Sequence, residues 1–113
     1  MVESASEPHA VELLLWSGCP SGPEARELLT RALDELGRTD LGISERFIED
    51  YEVAQTERFL GSPSIRVDDA EAVSGLPGQG YGLTCRIYHK ADGRISPLPE
   101  YADLLLGLRQ LLD

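Results

Sequence analysis

The chain has 113 residues, the length of one compact domain, and at this length one core can bury about 60 to 70% of the surface that the unfolded chain exposes. Apolar residues make up 42% and charged residues 27% of the sequence, which is typical of a globular rather than a disordered protein. Twenty acidic residues against ten basic ones give a net charge of -10, which disfavours nucleic acid and anionic membranes as partners.

The beginning of the chain predicts a flexible polar tail, residues 1–9, followed by a single domain over residues 10–113, because the tail offers no periodic apolar face. The tail also lacks the basic start and apolar centre of a signal peptide. The longest apolar run, Val11–Trp16, is interrupted by Glu12 and is far shorter than the roughly 20 residues that span a bilayer. The interpretation is a cytoplasmic protein whose cysteines are kept as thiols.

The first two predicted elements are a strand and a helix. The strand, Ala10–Trp16, is short, nearly all apolar and stopped by Ser17-Gly18, as expected of a central strand buried on both faces. The helix is expected to end at Gly37. Its apolar positions have the spacing of one helical face: Ala25, Leu28, Leu29, Ala32, Leu33 and Leu36.

The middle of the chain predicts a strand, a short helix and another strand. Ile43–Tyr51 is interpreted as the second strand, and Val53–Leu60 as a helix closed by Gly61. The third strand, up to Val67, opens directly on Pro63, a position in a sheet where a missing N–H is tolerated.

The last part of the chain predicts a long connection, a strand and a helix. Residues Asp68–Thr84 form a glycine-rich connection, and the alternating segment Cys85–His89 is expected to be the fourth strand. Ser96-Pro97 is predicted to cap the last helix. The apolar face of that helix comprises Tyr101, Leu104, Leu105, Leu108, Leu111 and Leu112. The order is βαβαββα, an α/β domain with a four-stranded mixed sheet flanked by helices.

Cys19 follows the first strand and precedes the first helix. If Pro20 is the first helical residue, Cys19 is the N-cap, and the helix N-terminus favours its thiolate, with a pKa lowered from about 8.5 toward about 3.5 to 7.5. If the helix begins at Pro23 with Gly22 as the cap, Cys19 is an inert turn residue. We favour the reactive cysteine.

The βαβαββα order, the Gly18-Cys19-Pro20 segment after the first strand and Ser62-Pro63 at the third strand resemble the thioredoxin superfamily. The resemblance implies that Cys19 is the attacking thiolate and that Pro63 is cis and faces it. It also implies that the Ser62 backbone lines the substrate groove. We expect substrate binding by Trp16, Pro20, Ser62 and Pro63, although a buried aromatic at a strand end explains Trp16 equally well.

The chain departs from the usual C-x-x-C pattern, because Gly22 stands at the position of the second cysteine. Disulfide exchange would then stop at a mixed disulfide or use another thiol, and Cys85 is the internal candidate. In a simple hairpin the strand of Cys85 starts at the far end of the sheet from Cys19, so a buried cysteine packing as a small hydrophobe is favoured. The long connection before it keeps the catalytic alternative open.

Three segments resemble small bacterial thioredoxin-fold proteins that are commonly labelled alkylmercury lyase. These proteins share W-x-G-C-P, F-L-G-S-P-S-x-x-V-D and G-L-T-C-R-x-Y, which match Trp16–Pro20, Phe59–Asp68 and Gly82–Tyr88. Cleavage of an organomercurial would need two thiolates that converge on one metal, and thiolates suit soft metals.

The sequence therefore predicts a thiol-dependent redox protein in which Cys19 exchanges with a disulfide or captures a thiol adduct. Mercury or soft-metal handling through Cys19 and Cys85 is the alternative, and a non-catalytic binding module is a further one. The expected partner is a protein or small-molecule thiol or disulfide. No cofactor and no bound metal are expected.

Overall fold

The computed structural model of the protein describes residues 9–75 and 80–112. It is a mixed α/β structure with a four-stranded mixed sheet, a two-stranded sheet and three helices. Residues 1–8 of the predicted tail and residues 76–79 of the predicted connection lie outside the described residues. The elements are β1 Val11–Leu15, α1 Gly22–Glu35, β2 Ile43–Phe47, α2 Tyr51–Thr56, β3 Ser64–Val67, β4 Ala70–Glu71, β5 Tyr88–His89, β6 Ile95–Ser96 and α3 Tyr101–Leu112.

The central strand of the main sheet is β1, in the order β2-β1-β3-β4. It pairs parallel with β2, from Val11 opposite Ile43 to Leu15 opposite Phe47, and antiparallel with β3. The apolar run of β1 is thus buried on both faces, as predicted, with Leu14 fully enclosed. Two parallel strands must be joined by a crossover connection, and α1 is the crossover between β1 and β2. The turn between β1 and α1 therefore lies at the carboxyl end of β1.

The fourth strand of this sheet is β4, which pairs with β3. The prediction that Cys85–His89 is the fourth strand of the sheet is wrong: within it, only Tyr88–His89 is a strand, and it pairs with β6 in the separate two-stranded sheet. The reason is a two-residue turn, in which Asp68 and Asp69 have φ of 52° and 71° and return the chain at once against β3. Since β4 already occupies the fourth position of the main sheet, the segment that contains Cys85 does not add a strand to that sheet.

Two helix starts also differ from the prediction. The side chain of Asp50 accepts hydrogen bonds from the backbone N–H groups of Glu52 and Val53, so α2 begins at Tyr51 rather than continuing the strand. Ser96 belongs to β6, and α3 begins at Tyr101 instead of at Ser96-Pro97.

The core has two parts, one on each face of the sheet. On one face α1 and α3 pack over β1 and β3, and on the other a smaller cluster encloses Leu14, Phe59 and the buried side of α2. Close packing of α3 depends on Gly107, because a Cβ there would lie 1.9 Å from the carbonyl oxygen of Ala72. Among the described residues, no helix has the length and hydropathy of a membrane span.

Candidate functional site

Cys19 lies in the turn between β1 and α1. The N-cap of α1 is Ser21, Gly22 is the first helical residue and Pro23 the second. The prediction that Cys19 caps the helix, with Pro20 as its first residue, is therefore wrong, and the alternative cap at Gly22 is one residue too late. Pro23 fits this start, because a residue without an N–H is tolerated in the first turn of a helix, and Pro20 lies in the turn before it.

The two cysteine thiols are in contact. The Sγ atom of Cys85 lies 3.2 Å from that of Cys19, and the Cys85 thiol donates to the Cys19 sulfur. A disulfide bond is about 2.0 Å long, so this is a non-bonded contact between two thiols. The favoured expectation that Cys85 stays away from Cys19 is wrong, because Ala70–Glu71 takes the fourth position in the sheet and the later segment returns to the Cys19 end.

Ser62 connects the two cysteine segments. The Ser62–Pro63 peptide bond is cis, as the resemblance implied. The Ser62 carbonyl accepts hydrogen bonds from the Cys19 thiol at 3.3 Å and from the Arg86 backbone N–H at 2.8 Å. Its own N–H donates to the Thr84 carbonyl at 2.8 Å. The backbone of Ser62 is therefore paired within the chain, next to both sulfurs, rather than open to a partner.

The two thiols have opposite pKa shifts. Burial by itself raises the pKa of Cys19, but hydrogen bonds that the Ser21 backbone N–H, the Cys85 thiol and the Ser62 and Ser21 hydroxyls can donate to its thiolate lower it on balance. The pKa of Cys85 is raised because its proton is held in the hydrogen bond to Cys19, with burial and the charge of a Cys19 thiolate adding to the effect. Cys19 is thus the more acidic thiol of the pair and Cys85 the less acidic one.

Gly61 allows the Cys85 segment to approach. A Cβ on Gly61 would lie 2.8 Å from the backbone nitrogen of Arg86 and 2.9 Å from the carbonyl carbon of Cys85, and its φ of +125° disfavours any other residue. The backbones on either side of the thiol pair can touch only because this side chain is absent.

A buried ionic network holds the residue after Cys85. The Arg86 and Arg66 side chains are only 2% and 8% exposed, and both pair with the carboxylate of Glu71, at 2.7 Å and 2.9 Å. Further along, the Tyr88 hydroxyl donates to the Pro63 carbonyl at 2.8 Å, and burial raises the pKa of this phenol, so it keeps its proton. The hydrogen bond of Tyr88 thus connects the segment that follows Cys85 to the cis-proline turn.

A pocket of about 390 Å³ adjoins Cys19. Its walls include the rings of Trp16 and Phe47, the side chain of Pro23, and the ion pair of Arg26 with Glu45. A cavity of this size is in the range of small-molecule sites.

Of the four predicted binding residues, only Trp16 lines this pocket. Pro20 is exposed and does not line it, while Ser62 and Pro63 are fully buried next to the sulfurs. Sequence reasoning missed Phe47, Gly61 and the ionic network. Gly61 carried a sequence signal, since a glycine at a strand can mark the close approach of another backbone, but it was interpreted as the end of a helix.

No group of three or more His, Cys, Asp or Glu side chains within residues 9–75 and 80–112 could hold a metal ion. No protein family, curated protein or solved structure compared with this chain matches it.

Proposed function

We propose that this protein is a thiol–disulfide oxidoreductase in which Cys19 attacks a disulfide and Cys85 resolves the mixed disulfide. The observation that carries the proposal is the contact of 3.2 Å between the two sulfurs. The opposite pKa shifts support the assignment of roles, because the group that attacks first must be a thiolate. Cys85 supplies from a distant segment the second thiol that a C-x-x-C motif would place at Gly22.

We further propose that the domain has a thioredoxin-like fold. The proposal is supported by the parallel β1–β2 pair joined by α1 and by the antiparallel β3–β4 hairpin. The cis-proline beside the cysteine at the start of α1 supports it as well.

The reaction proceeds in two exchange steps. The Cys19 thiolate attacks one sulfur of a substrate R–S–S–R; the substrate S–S bond breaks, and one R–S⁻ leaves and takes a proton from water. Because Cys19 then carries no charge, Cys85 gives up its proton more readily, and its partly exposed side chain can release it to solvent. The Cys85 thiolate attacks the Cys19 sulfur and expels the second R–S⁻. The protein dithiol is oxidised to a disulfide and the substrate is reduced to two thiols.

The test compares the wild type with Cys19→Ser and Cys85→Ser after exposure to bis(2-hydroxyethyl) disulfide at neutral pH, followed by peptide mapping by mass spectrometry. We expect a Cys19–Cys85 linkage in the wild type, a stable mixed disulfide on Cys19 in Cys85→Ser, and little adduct in Cys19→Ser. Each variant is the matched control of the other. An adduct only on Cys85, or no linkage at all, would contradict the proposal, and in the second case a binding module without turnover would be the better explanation.

The convergence of two thiols also supports capture of a soft metal ion such as mercuric ion as a second candidate function. Two sulfurs that share a tetrahedral metal with bonds of about 2.3 Å lie about 3.8 Å apart, so the observed separation of 3.2 Å lies between that value and the length of a disulfide bond, about 2.0 Å. Titration with mercuric ion tests this second function. A one-to-one complex that is lost in either cysteine variant would support metal capture by the two thiols, and binding that survives in both variants would contradict it.

A further inference from the structure

The pocket beside Cys19 suggests what kind of disulfide reacts there. Cys19 is only 7% exposed, yet it forms part of the pocket wall. Cys85, the more exposed of the two cysteines, does not line this pocket among the described residues. A substrate group can therefore enter beside Cys19 while Cys85 stays in contact with the same sulfur from outside the pocket.

Aromatic and aliphatic groups form most of the inner surface. The indole of Trp16 lies over Gly18, where a Cβ would be 2.4 Å from the ring, so the ring sits against the turn before Cys19. Phe47 is 55% exposed and lies at the carboxyl end of the edge strand β2, where it joins the pocket instead of either core cluster. An apolar substituent in the pocket would cover this ring.

The charges around the pocket disfavour an anionic substrate. The guanidinium of Arg26 is already paired with Glu45. The carboxylate of Glu49 accepts a hydrogen bond at 3.1 Å from the backbone N–H of Ser17, a residue of the pocket wall, and within residues 9–75 and 80–112 no ion pair of Glu49 is found. The chain as a whole carries a net charge of -10, which repels anions further.

We infer that the substrate of Cys19 is a small disulfide with uncharged, apolar substituents, one of which is held between Trp16, Pro23 and Phe47 while Cys19 attacks. This inference rests on the proposed function. In the first exchange step the apolar R group remains in the pocket as the Cys19–S–S–R mixed disulfide. The attack of Cys85 then releases it as R–SH, with the proton taken from water.

The experiment measures how fast the reduced wild type reacts with dimethyl, diethyl and dipropyl disulfide and with the dianion of 3,3′-dithiodipropionic acid. Each rate is divided by the rate of a small reference thiol with the same probe, which removes differences in intrinsic reactivity. We expect the ratio to rise about fourfold for each methylene buried and to be lowest for the dianion. A ratio that does not change with chain length, or a dianion that reacts best, would overturn the inference.

A pair of variants tests the pocket itself. Phe47→Ala is expected to remove most of the dependence on chain length, whereas Leu106→Ala, which shortens a side chain that is 53% exposed on α3, should leave the dependence unchanged. Equal loss in both variants would contradict the assignment of the pocket. If none of the probes produces a Cys19–Cys85 disulfide, the proposed function fails; if all of them produce it at equal relative rates, only this inference fails.

Discussion

The turn that carries Cys19 and the segment that carries Cys85 meet at one point but are held there by different interactions. Cys19 is placed by its neighbours in sequence: β1 ends at Leu15, and its turn leads into α1 at Gly22. Cys85 is placed by residues far away in sequence, since the segment that bears it bonds to Ser62 and to Glu71.

The two thiols should therefore respond differently to mutation. Cys19 is positioned by a strand and a helix that belong to the main core, so small changes that do not touch its sulfur should leave its adduct formation intact. The resolving thiol depends on a few long-range contacts, and the loss of any one should slow the second exchange step more than the first.

The largest effect is expected for Glu71→Gln. The change leaves the buried side chains of Arg86 and Arg66 without their carboxylate, which should lower the free energy of unfolding by roughly 3 kcal/mol. Denaturant titration measures this loss. The matched control is Glu57→Gln, because Glu57 pairs with the more exposed Arg46 and its pair should contribute less than about 1 kcal/mol. Equal losses in both variants would mean that Glu71 has no special role in holding the Cys85 segment.

The next largest effect is expected for Gly61→Ala. The added Cβ would meet the Arg86 backbone at 2.8 Å, so the Cys85 segment must move away, at a cost of about 1 to 3 kcal/mol in stability. We expect closure of the Cys19–Cys85 disulfide to slow at least tenfold, on the order of 1.4 kcal/mol in its barrier, while adduct formation on Cys19 changes less. Rapid-quench mass spectrometry separates the two steps.

Gly42→Ala is the control for this variant, since a Cβ at Gly42 meets nothing within 4 Å and the change should stay within about 0.5 kcal/mol. If Gly61→Ala closes its disulfide as fast as the wild type, close backbone approach at this point is not what brings the sulfurs together.

The smallest effect concerns the pH dependence of Cys19. Because its pKa is lowered, the thiolate is present at lower pH than for an ordinary thiol, and alkylation by iodoacetamide should begin there. Cys85→Ala removes the thiol that donates to the thiolate, so the pKa of Cys19 should rise and the midpoint of the alkylation profile should move to higher pH. Thr84→Ala, a change to the exposed neighbouring residue, should leave the midpoint in place. A midpoint that moves down in Cys85→Ala would reverse the assigned direction of the hydrogen bond.

Much of the fold was predictable because it depends on local patterns. The apolar run of β1 and the helical spacing of α1 identify both elements directly, and Gly37 ends the helix with a φ of +71°. The apolar face of α3 was also identified, with Leu104 and Leu108 fully buried. The start of α2 was missed because Asp50 fell within the predicted strand Ile43–Tyr51, whereas it is the cap of the helix.

The position of Cys85 was not predictable in the same way. The two-residue turn at Asp68 and Asp69 contains no glycine, although both residues have positive φ, so the hairpin between β3 and β4 carried a weak sequence signal. Without that hairpin, Cys85–His89 was the natural choice for the fourth strand. Because this turn was not recognised, Cys85 was predicted to lie at the far end of the sheet instead of next to Cys19.

The mixed α/β class, the central strand, and the location of Cys19 between that strand and the first helix were predictable, because they follow from hydrophobic periodicity and from residues close together in the chain. The contact between Cys19 and Cys85, which is 66 positions further along the chain, follows instead from the way distant segments pack together. That contact depends on the absence of a side chain at Gly61 and on the ion pair of Arg86 with Glu71. Both interactions join segments that are far apart in the chain. The hydrophobic pattern along one element does not indicate which distant segment packs against it.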